Sequence, residues 1–359
     1  WERFIIFINN HFSKKNLFSV SIANTGFNLV LRKEVREADI IHLHWINQGF
    51  LSLSDIKKLT TLGKPIIWTL HDLWPITAIC HHPGTCNKYT SLCQNCPQLQ
   101  KPAPHDLSYR IWKKKNFFAQ SYITFVSVSQ WLCDKARQSN ISKTSLNLVI
   151  PNTIDTQIFY QQDRNKIRAK LSISKDNFVI LFGAAKLNDP IKGFDLLCHA
   201  ISLFPIEQIK KLHLLMFGGI KNDENFLNTI PCKYTYMGKL SDISMIASLY
   251  SAADVTVVSS HYETFGQTLI ESMACGTTVV SFDQGGQTDI IDHLDNGYLA
   301  KYPSVEDLSK GILWAYEQKD NPSLQDKCIE KVKKNYTEDI IATHYNHLYQ
   351  KLLSTKQKQ

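Results

Sequence analysis

The stretch that decides the fold reads SSHYETFGQTLIESMACG and spans residues 259–276. It follows an apolar strand at 255–258, passes through a loop with one glycine, and enters a predicted helix that stops at Gly276. Glu263 lies in the loop and Glu271 lies inside the helix, so the two carboxylates need not touch. They suit two separate hydrogen-bonding roles on one polar ligand rather than a paired general acid and base.

The predicted start of this helix is suited to bind an anion. The backbone N–H groups of Phe265, Gly266 and Gln267 are expected to point out of the helix N-terminus, which attracts phosphate. Gly266 has no side chain and lets a ligand approach the backbone closely. Loop and helix together predict a site for a phosphate-bearing ligand.

Apolar strands alternate with longer helical stretches on both sides of this motif. In the second half, strands are predicted at 178–183, 212–219, 234–237, 255–258 and 278–282, and helices at 194–203, 243–252, 268–275 and 305–317. In the first half, strands are predicted at 39–44, 65–70, 123–128 and 146–150, and helices at 52–62 and 130–137. Because strand and helix alternate, each half predicts an α/β domain with a parallel sheet.

The two halves predict two Rossmann-like domains that face each other across a cleft, with ligands at the carboxyl ends of the strands. We assign residues 1–155 to the first domain and residues 156–335 to the second. The polar stretch 161–170 is interpreted as the seam between them. Residues 336–359 contain helical apolar spacing, so we expect a C-terminal helix that packs back on the first domain.

Length and composition agree with two ordered domains. The chain has 359 residues, whereas a common single domain has ~150. Apolar residues make up 43% and charged residues 20%, so the chain can bury a core. No apolar run approaches the ~20 residues that span a bilayer, which argues against an integral membrane protein. The net charge of +8 permits anionic partners, and no nucleic-acid-binding module surrounds the basic residues.

The motifs, taken in order, resemble those of glycosyltransferase family 4, a family of retaining transferases with the two-Rossmann-domain GT-B architecture. In the C-terminal half they are Glu263-x7-Glu271 with Phe265-Gly266, Glu271-Ser-Met-Ala-Cys-Gly276, Thr278-Val-Val280, Ile191-Lys-Gly-Phe194, Met216-Phe-Gly-Gly219, Tyr236-Met-Gly238, Leu249-Tyr-Ser-Ala-Ala-Asp254 and Gln284-Gly-Gly-Gln287-x-Asp289-Ile290. In the N-terminal half they are His42-x-His44-Trp45, Trp68-Thr-Leu-His71-Asp72-x-Trp74-Pro75 and Val149-Ile-Pro-Asn152-x-Ile-Asp155. The set is specific, although each motif alone is weak.

The resemblance implies a role for each matching residue. Glu271 would hold the ribose hydroxyls of a nucleotide sugar, and Glu263 would contact the transferred sugar. Lys192 would neutralise the diphosphate, and His71 would contact the sugar from the first domain. The remaining donor-binding residues implied by the resemblance are Phe265, Gly266, Gln267, Gly183 and Lys186. At the end of the strand, where the family usually has an arginine, this chain has Lys186. A lysine carries a point charge and cannot make the bidentate contact of a guanidinium.

The implied activity is transfer of a sugar, with retention, from a UDP- or GDP-linked donor to a saccharide or lipid-linked saccharide. Surface polysaccharide or lipopolysaccharide assembly is the implied pathway. No metal is expected in catalysis, because Lys192 and the helix start would neutralise the leaving group and the chain has no acidic DxD triplet. The family's first strand and glycine-rich loop have no counterpart after Trp1. The first domain is therefore expected to lack its first strand–helix unit.

Two other functions remain open. One is a nucleotide-sugar epimerase on the same architecture, which needs acid and base groups in the cleft. The other is a degenerate nucleotide-sugar-binding protein, a reading motivated by the missing first unit. A nicotinamide-dependent dehydrogenase is disfavoured because no G-x-G-x-x-G follows any predicted strand.

A cysteine-rich loop follows the His71 motif. Four of the nine cysteines occur in it: Cys80, Cys86, Cys93 and Cys96. Four thiolates can enclose a tetrahedral structural Zn²⁺, although only the last pair has common metal-site spacing. His81 and His82 compete as ligands, and free thiols or disulfides are the alternatives. The other cysteines lie on apolar stretches, which is typical of a reducing compartment.

A basic and aromatic stretch at 110–118 suggests a second kind of contact. It is suited to seat the first domain on an anionic membrane, where lipid-linked acceptors are found. The alternative is a solvated helix face with Trp112 and Phe118 in the core. We therefore expect a cytoplasmic protein, with the inner face of the plasma membrane as a further location. His42 and His44 are interpreted as inner polar groups of one strand.

Overall fold

The computed structural model describes residues 1–356, and the chain divides into two compact units. The first unit comprises Trp1–Pro151 and the chain from His344, and the second comprises Asn152–Thr343. Each unit is built on its own parallel sheet. The predicted α/β class with two parallel sheets is therefore confirmed.

The first unit has a four-stranded sheet in the order β1-β2-β3-β4. Its strands are β1 (Ile41–Leu43), β2 (Ile66–Leu70), β3 (Ile123–Ser127) and β4 (Asn147–Val149). Its helices are α1 (Glu2–Asn9), α2 (Lys33–Glu37), α3 (Leu53–Thr60), α4 (Leu107–Lys115) and α5 (Gln130–Gln138). Every residue of β2 and β3 is buried, which is why these strands appear as continuous apolar runs rather than as alternating patterns.

The last helix, α14 (Glu338–Lys356), is bonded to strand ends of the first unit. The Tyr345 hydroxyl lies 2.9 Å from the Thr69 hydroxyl, and the Tyr349 hydroxyl lies 2.8 Å from Nδ1 of His42. These bonds join the C-terminal helix to β1 and β2.

The second unit has a six-stranded parallel sheet in the order β10-β9-β8-β5-β6-β7. Its strands are β5 (Phe178–Lys186), β6 (Leu212–Gly219), β7 (Lys233–Tyr236), β8 (Val255–Val258), β9 (Thr278–Phe282) and β10 (Gly297–Ala300). Its helices are α6 (Arg164–Lys170), α7 (Phe194–Ser202), α8 (Ile206–Ile209), α9 (Ile243–Ala252), α10 (Gln267–Ala274), α11 (Gln287–Ile290), α12 (Val305–Glu317) and α13 (Pro322–Asn335).

The strand order of the second sheet reverses between β5 and β8. From β5 the chain runs outward through β6 and β7, then returns to place β8 on the opposite side of β5. Parallel sheets bind ligands at the carboxyl ends of the strands where such a reversal occurs. The loops that follow β5 and β8, at 187–193 and 259–266, lie at this point.

Candidate functional site

The loops after β5 and β8 are bonded directly to each other. The Ser259 hydroxyl donates to the carbonyl of Gly193 at 2.7 Å, and the backbone N–H of His261 donates to the carbonyl of Ile191 at 2.9 Å. Gly193 has a φ of 61°, and a Cβ there would lie 2.1 Å from the Ser259 carbonyl oxygen. The loop at 187–193 can lie this close to the loop at 259–266 because residue 193 is glycine.

This contact brings two predicted catalytic residues together. Nζ of Lys192 lies 2.6 Å from Oε1 of Glu263, and both side chains are partly exposed. The Ser260 hydroxyl donates to the same carboxylate oxygen at 2.7 Å. The site thus places a cation and a carboxylate side by side at the strand-order reversal, where both can reach a ligand.

The backbone of Glu263 is held by the loop after β9. The N–H of Gly286 donates to the Glu263 carbonyl at 2.7 Å, and the Glu263 N–H donates to Oε1 of Gln287 at 3.0 Å. Gln287 is fully buried, and its amide donates to the Ser281 hydroxyl at 3.1 Å. The backbone around Glu263 is therefore held in place by Gly286 and Gln287, which follow β9.

The helix predicted after this loop is α10, and Gly266 forms its N-cap with a φ of 108°. Phe265 is buried, and its ring packs edge-on against Tyr336 with centroids 5.7 Å apart. The side-chain amide of Gln267 donates through Nε2 to the carbonyl of Thr153 at 3.2 Å. The loop turns into α10 in a backbone conformation that only glycine adopts readily, and a Cβ at Gly266 would lie 2.9 Å from the Leu269 side chain.

Glu271 lies on α10 and turns toward the inside of the unit. The Tyr250 hydroxyl donates to Oε2 of Glu271 at 2.8 Å, and the Tyr250 side chain is fully buried. Burial raises the pKa of Glu271 to about 7, and the bond from Tyr250 acts in the opposite direction. Glu271 is thus a carboxyl group whose charge changes near neutral pH.

The remaining predicted donor residues lie on β5. The strand continues past the predicted end to Lys186, with an irregular register between Gly183 and Lys186. A Cβ at Gly183 would lie 2.3 Å from the ring of Phe217. Gly183 therefore leaves room for the Phe217 ring of β6. Lys186 is the last residue of the strand and is partly exposed.

His71 follows β2 in the first unit and is exposed. Its Nε2 lies 3.0 Å from Nδ1 of His44, and the two rings are stacked with centroids 5.3 Å apart. His42 lies 4.3 Å from the His44 ring and bonds to Tyr349 and Thr69. Burial, followed by His44 and His71, lowers the pKa of His42 to about 4. Partial burial also lowers the pKa of His44, and it lowers that of His71 together with the neighbouring His44.

Sequence reasoning did not assign two residues that contact the predicted carboxylates. Ser260 belongs to the stretch at 259–276, and Tyr250 belongs to the Leu249–Asp254 motif of the family resemblance. For Ser260 the signal is spacing, since it precedes Glu263 by three positions. The bond between Tyr250 and Glu271 joins two helices and has no local signature.

The cysteine loop gathers its thiols around one small cavity. Cys80, Cys86, Cys93 and Cys96 all line this space of about 20 Å³, and every cysteine is a free thiol. Burial raises the pKa of Cys80 and Cys93 to about 12. In residues 1–356, no three His, Cys, Asp or Glu side chains are arranged as a ligand set for a metal ion. The thiols share a cavity but do not converge on one point.

The basic and aromatic stretch forms α4 and the turn after it. Trp112 and Phe118 are buried, whereas Lys113 and Lys114 are exposed. The exposed lysines border a groove of about 1080 Å³ in the first unit, whose other cations are Lys57 and Arg110. In the part of the chain that the structure describes, no helix has the length and apolarity that crossing a bilayer requires.

Two family models match this chain over adjoining segments. The model described as Glycosyltransferase Family 4 matches residues 6–158, and the model described as Glycosyl transferases group 1 matches residues 163–335. The first segment contains His71 and the cysteine loop. The second contains Lys192, Glu263 and Glu271.

Curated relatives match a part of the chain. The D-inositol 3-phosphate glycosyltransferase of Geodermatophilus obscurus is 31% identical over 186 residues, which are 46% of this chain and 39% of that protein. The protein of the same name from Acidothermus cellulolyticus is 30% identical over 42% of this chain and 36% of that protein. The chain spans less than half the length of these relatives.

Solved structures share the fold. Sucrose-phosphate synthase from Thermosynechococcus elongatus superposes with a TM-score of 0.68 at 22% identity, covering 88% of this chain and 74% of that one. Anabaena HepE in complex with UDP superposes with a TM-score of 0.65 at 18% identity, covering 90% of this chain and 80% of that one. These likenesses agree with the two-domain, Rossmann-like GT-B fold. The two family models, which between them match residues 6–158 and 163–335, show that the chain belongs to glycosyltransferase family 4.

Proposed function

We propose that this protein is a retaining glycosyltransferase that moves a sugar from a nucleotide-sugar donor to a hydroxyl acceptor. The observation that carries the proposal is the Lys192–Glu263 pair at 2.6 Å, held at the strand-order reversal of the second unit beside the glycine that opens α10. A cation and an open helix start suit a diphosphate, and a carboxylate beside them suits a sugar hydroxyl.

The chemistry follows from where negative charge develops. As the glycosidic bond breaks, charge builds on the departing nucleoside diphosphate. Lys192 and the N–H groups of Phe265, Gly266 and Gln267 are suited to stabilise that charge, with Lys186 at the end of β5 as a further cation. One well-placed donor of this kind contributes about 3 kcal/mol to transition-state stabilisation. The acceptor attacks from the face that the leaving phosphate occupies, so the leaving group serves as the base.

The two units take different parts in this scheme. We assign the donor to the second unit, where Glu271 holds the ribose hydroxyls and Glu263 contacts the sugar. We assign the acceptor to the first unit, whose His71 contacts the transferred sugar. We propose domain limits of 1–155 and 156–335, with the chain from 336 returning to the first domain, whereas the compact units divide a few residues away, after Pro151 and after Thr343.

The donor screen should begin with uridine nucleotides. Anabaena HepE has been solved with UDP and with UDP-glucose, and its fold is similar to that of this chain. GDP-linked sugars form the second arm of the screen. Release of nucleoside diphosphate in the presence of a saccharide acceptor, with product retaining the donor's anomeric configuration, is the expected result. Activity should persist in EDTA, because protein cations neutralise the leaving group.

The same assay separates the proposal from its rivals. Conversion of the donor sugar without any acceptor would indicate an epimerase-type enzyme. Tight nucleotide-sugar binding with no turnover would indicate a degenerate binding protein. Glu271→Ala is expected to weaken donor binding, and an unchanged dissociation constant would contradict its assigned role.

For the acceptor, we propose a lipid-linked saccharide of surface polysaccharide or lipopolysaccharide assembly, met at the cytoplasmic face of the plasma membrane. The support is the groove of the first unit, whose cations Lys57, Arg110, Lys113 and Lys114 face a space with no acidic lining residue among those described. A phosphate-bearing lipid headgroup complements this charge.

Vesicle binding tests this assignment. Co-sedimentation with vesicles of three parts phosphatidylcholine and one part phosphatidylglycerol should fall for the double variant Lys113→Glu/Lys114→Glu. The matched control is Lys333→Glu/Lys334→Glu, an equally exposed neighbouring pair on α13 with the same charge change. Equal loss in both variants would contradict a specific role for the groove.

We also propose that the cysteine loop binds a structural Zn²⁺. The support is the shared cavity of the four thiols and the side chain of Lys115, which is fully buried and interacts electrostatically with Cys80 and Cys93. Its amino group donates to the carbonyls of Trp74 and Thr77 at 2.6 and 2.9 Å. Burial lowers the pKa of Lys115 well below its ordinary range, and thiolates at Cys80 and Cys93 would act in the opposite direction and favour its charged form. Binding requires the thiol side chains to turn toward a common point. Zinc content near one equivalent in purified protein is expected, and less than half an equivalent would remove the site.

A further inference from the structure

The Glu271 carboxylate accepts a hydrogen bond from a residue without an assigned role. Tyr250 of α9 is fully buried, and its hydroxyl donates to Oε2 of Glu271 at 2.8 Å. The ring of Tyr250 lies edge-on to Phe217 with centroids 6.0 Å apart, and the ring of Phe159 lies 6.2 Å away. The backbone carbonyl of Tyr250 accepts a bond from the Thr277 hydroxyl at 2.8 Å. The phenol is thus fixed in direction before any ligand binds.

We propose that Tyr250 is a positioning residue of the donor site, which holds the Glu271 carboxylate in place and in its ionised form for the ribose hydroxyls. This inference rests on the proposed function, because it assumes that Glu271 binds the ribose. An ionised carboxylate only accepts hydrogen bonds, so it can take one bond from the phenol and others from a ribose diol. A protonated carboxyl group gives up part of that capacity.

The surroundings of Glu271 make its charge sensitive to this one bond. Burial raises the pKa of Glu271 to about 7, whereas the Tyr250 bond lowers it. Burial also raises the pKa of Tyr250 well above its ordinary range and that of Cys275 to about 12, so both stay neutral near pH 7. Of the charged groups of α13, which packs on α10, Lys327 pairs with Asp295 and Lys331 pairs with Asp292. Its other charged residues, Asp326, Glu330, Lys333 and Lys334, are exposed. In α11, the backbone carbonyl of Asp289 accepts from Tyr336.

Donor binding should therefore be coupled to release of a proton. With the pKa of Glu271 raised to about 7, a part of these side chains carries a proton at neutral pH, and ribose hydroxyls bind the ionised part. Binding then releases a fraction of a proton per site near pH 7 and less at higher pH. Removing the phenol hydroxyl raises the pKa of Glu271 further, so more protein must lose a proton in order to bind.

The experiment is calorimetric titration of the full chain with UDP-glucose, or with GDP-mannose if only the guanine donor binds. Titrations at pH 6, 7 and 8.5, each in two buffers of different ionisation enthalpy, give affinity and proton release together. A nucleotide sugar is used because its diphosphate is a diester with no proton to lose in this range. A free nucleoside diphosphate would add its own titration.

Tyr250→Phe keeps the ring and removes only the hydroxyl. We expect its affinity at pH 7 to fall about fivefold, its proton release to rise toward one, and its affinity to approach the wild-type value at pH 8.5. Glu271→Gln should bind weakly with no proton release at any pH. Tyr234→Phe removes the hydroxyl of a partly exposed tyrosine of the same unit and should match the wild type.

Three results would overturn the inference. One is pH-independent binding by the wild type, which needs no variant to detect. Another is Tyr250→Phe with wild-type affinity at pH 7. The third is a uniform loss at every pH with an unchanged midpoint, because that is the behaviour of a residue with a merely structural role. Failure of the proposed function looks different, since neither nucleotide sugar would then bind the wild type at any pH.

Discussion

At the scale of single residues, the site depends on a cation held against a carboxylate. Lys192 bonds to Glu263 in the structure, which keeps its ammonium at the loop where a diphosphate would lie. Lys192→Ala removes the charge that stabilises the leaving group. We expect at least a tenfold lower kcat, about 1.4 kcal/mol, measured by release of nucleoside diphosphate. Lys239→Ala, an exposed lysine of the same unit, is the control, and full activity of Lys192→Ala would refute the assignment.

Gly193 is a second residue whose identity has a measurable consequence. Its φ of 61° disfavours any side chain, and a Cβ would also meet the Ser259 carbonyl oxygen at 2.1 Å. Gly63 has a similar φ of 63° with nothing within 4 Å of its Cβ position. Gly63→Ala should therefore cost about 1 kcal/mol of unfolding free energy, from backbone strain alone. Gly193→Ala should lower the free energy of unfolding, measured in urea, by about 3 kcal/mol or more. Equal losses for Gly193→Ala and Gly63→Ala would show that the structure relieves the clash with the Ser259 carbonyl.

At the scale of elements, most strands and helices were predictable because their faces are uniformly apolar or periodic. The strands at 212–219, 255–258 and 278–282 and the helices at 243–252 and 305–317 have the bounds that the sequence predicts. Several elements were not predicted, among them the short helices α1, α2 and α8, the strand β10 with four residues, and α13 with many charges. An edge strand of four residues is too short for a periodic signal. In α13 the buried residues Leu324, Cys328 and Val332 do recur every four positions.

The stretch at 161–170 shows how tertiary contacts change an interpretation. We interpreted it as a polar seam, whereas Arg164–Lys170 is helix α6 of the second unit, with Arg168 only 4% exposed. Asp254, at the start of β8, lies 3.0 Å from Arg164 and 2.8 Å from Arg168, and it accepts a bond from the N–H of Val179. A polar segment became a packed helix because one buried carboxylate pairs with both arginines.

The docking of α6 can be tested through that carboxylate. Asp254→Asn keeps the shape and removes the charge, which leaves the guanidinium of Arg168 buried without its counter-ion. We expect a loss of about 3 kcal/mol in the free energy of unfolding, measured by urea titration. Asp176→Asn, an exposed site in the same unit, should change it by less than about 0.5 kcal/mol. Equal effects at both sites would mean that the ion pairs contribute nothing.

At the scale of the whole molecule, acid should destabilise the first unit. The folded protein lowers the pKa of His42 to about 4 from its usual 6.5, so the unfolded chain binds a proton first as the pH falls. The stabilisation is present above pH 6.5 and is lost as the pH falls toward 4. Because the ring is partly solvated, we expect a loss of about 1–2 kcal/mol. His44 and His71 act in the same direction.

Urea unfolding at pH 7.5 and at pH 5 tests this prediction. The quantity to compare is the free energy of the first unfolding transition at the two pH values. His42→Gln should flatten the difference between the two conditions, because glutamine does not titrate. His347→Gln, at an exposed position of α14, should leave the difference unchanged. A His42→Gln variant with the wild-type dependence would contradict this origin of the acid sensitivity.

The sequence by itself determined the α/β class, the two parallel sheets and the loop–helix motif at 259–276. These features depend on period, on apolar runs and on glycine positions, all of which are local along the chain. Only the tertiary structure decided that Lys192 meets Glu263, that Tyr250 meets Glu271, and that His44 meets His71. Each pair joins residues from separate strand ends or helices. Their distances follow from strand order and side-chain packing, which no local pattern encodes.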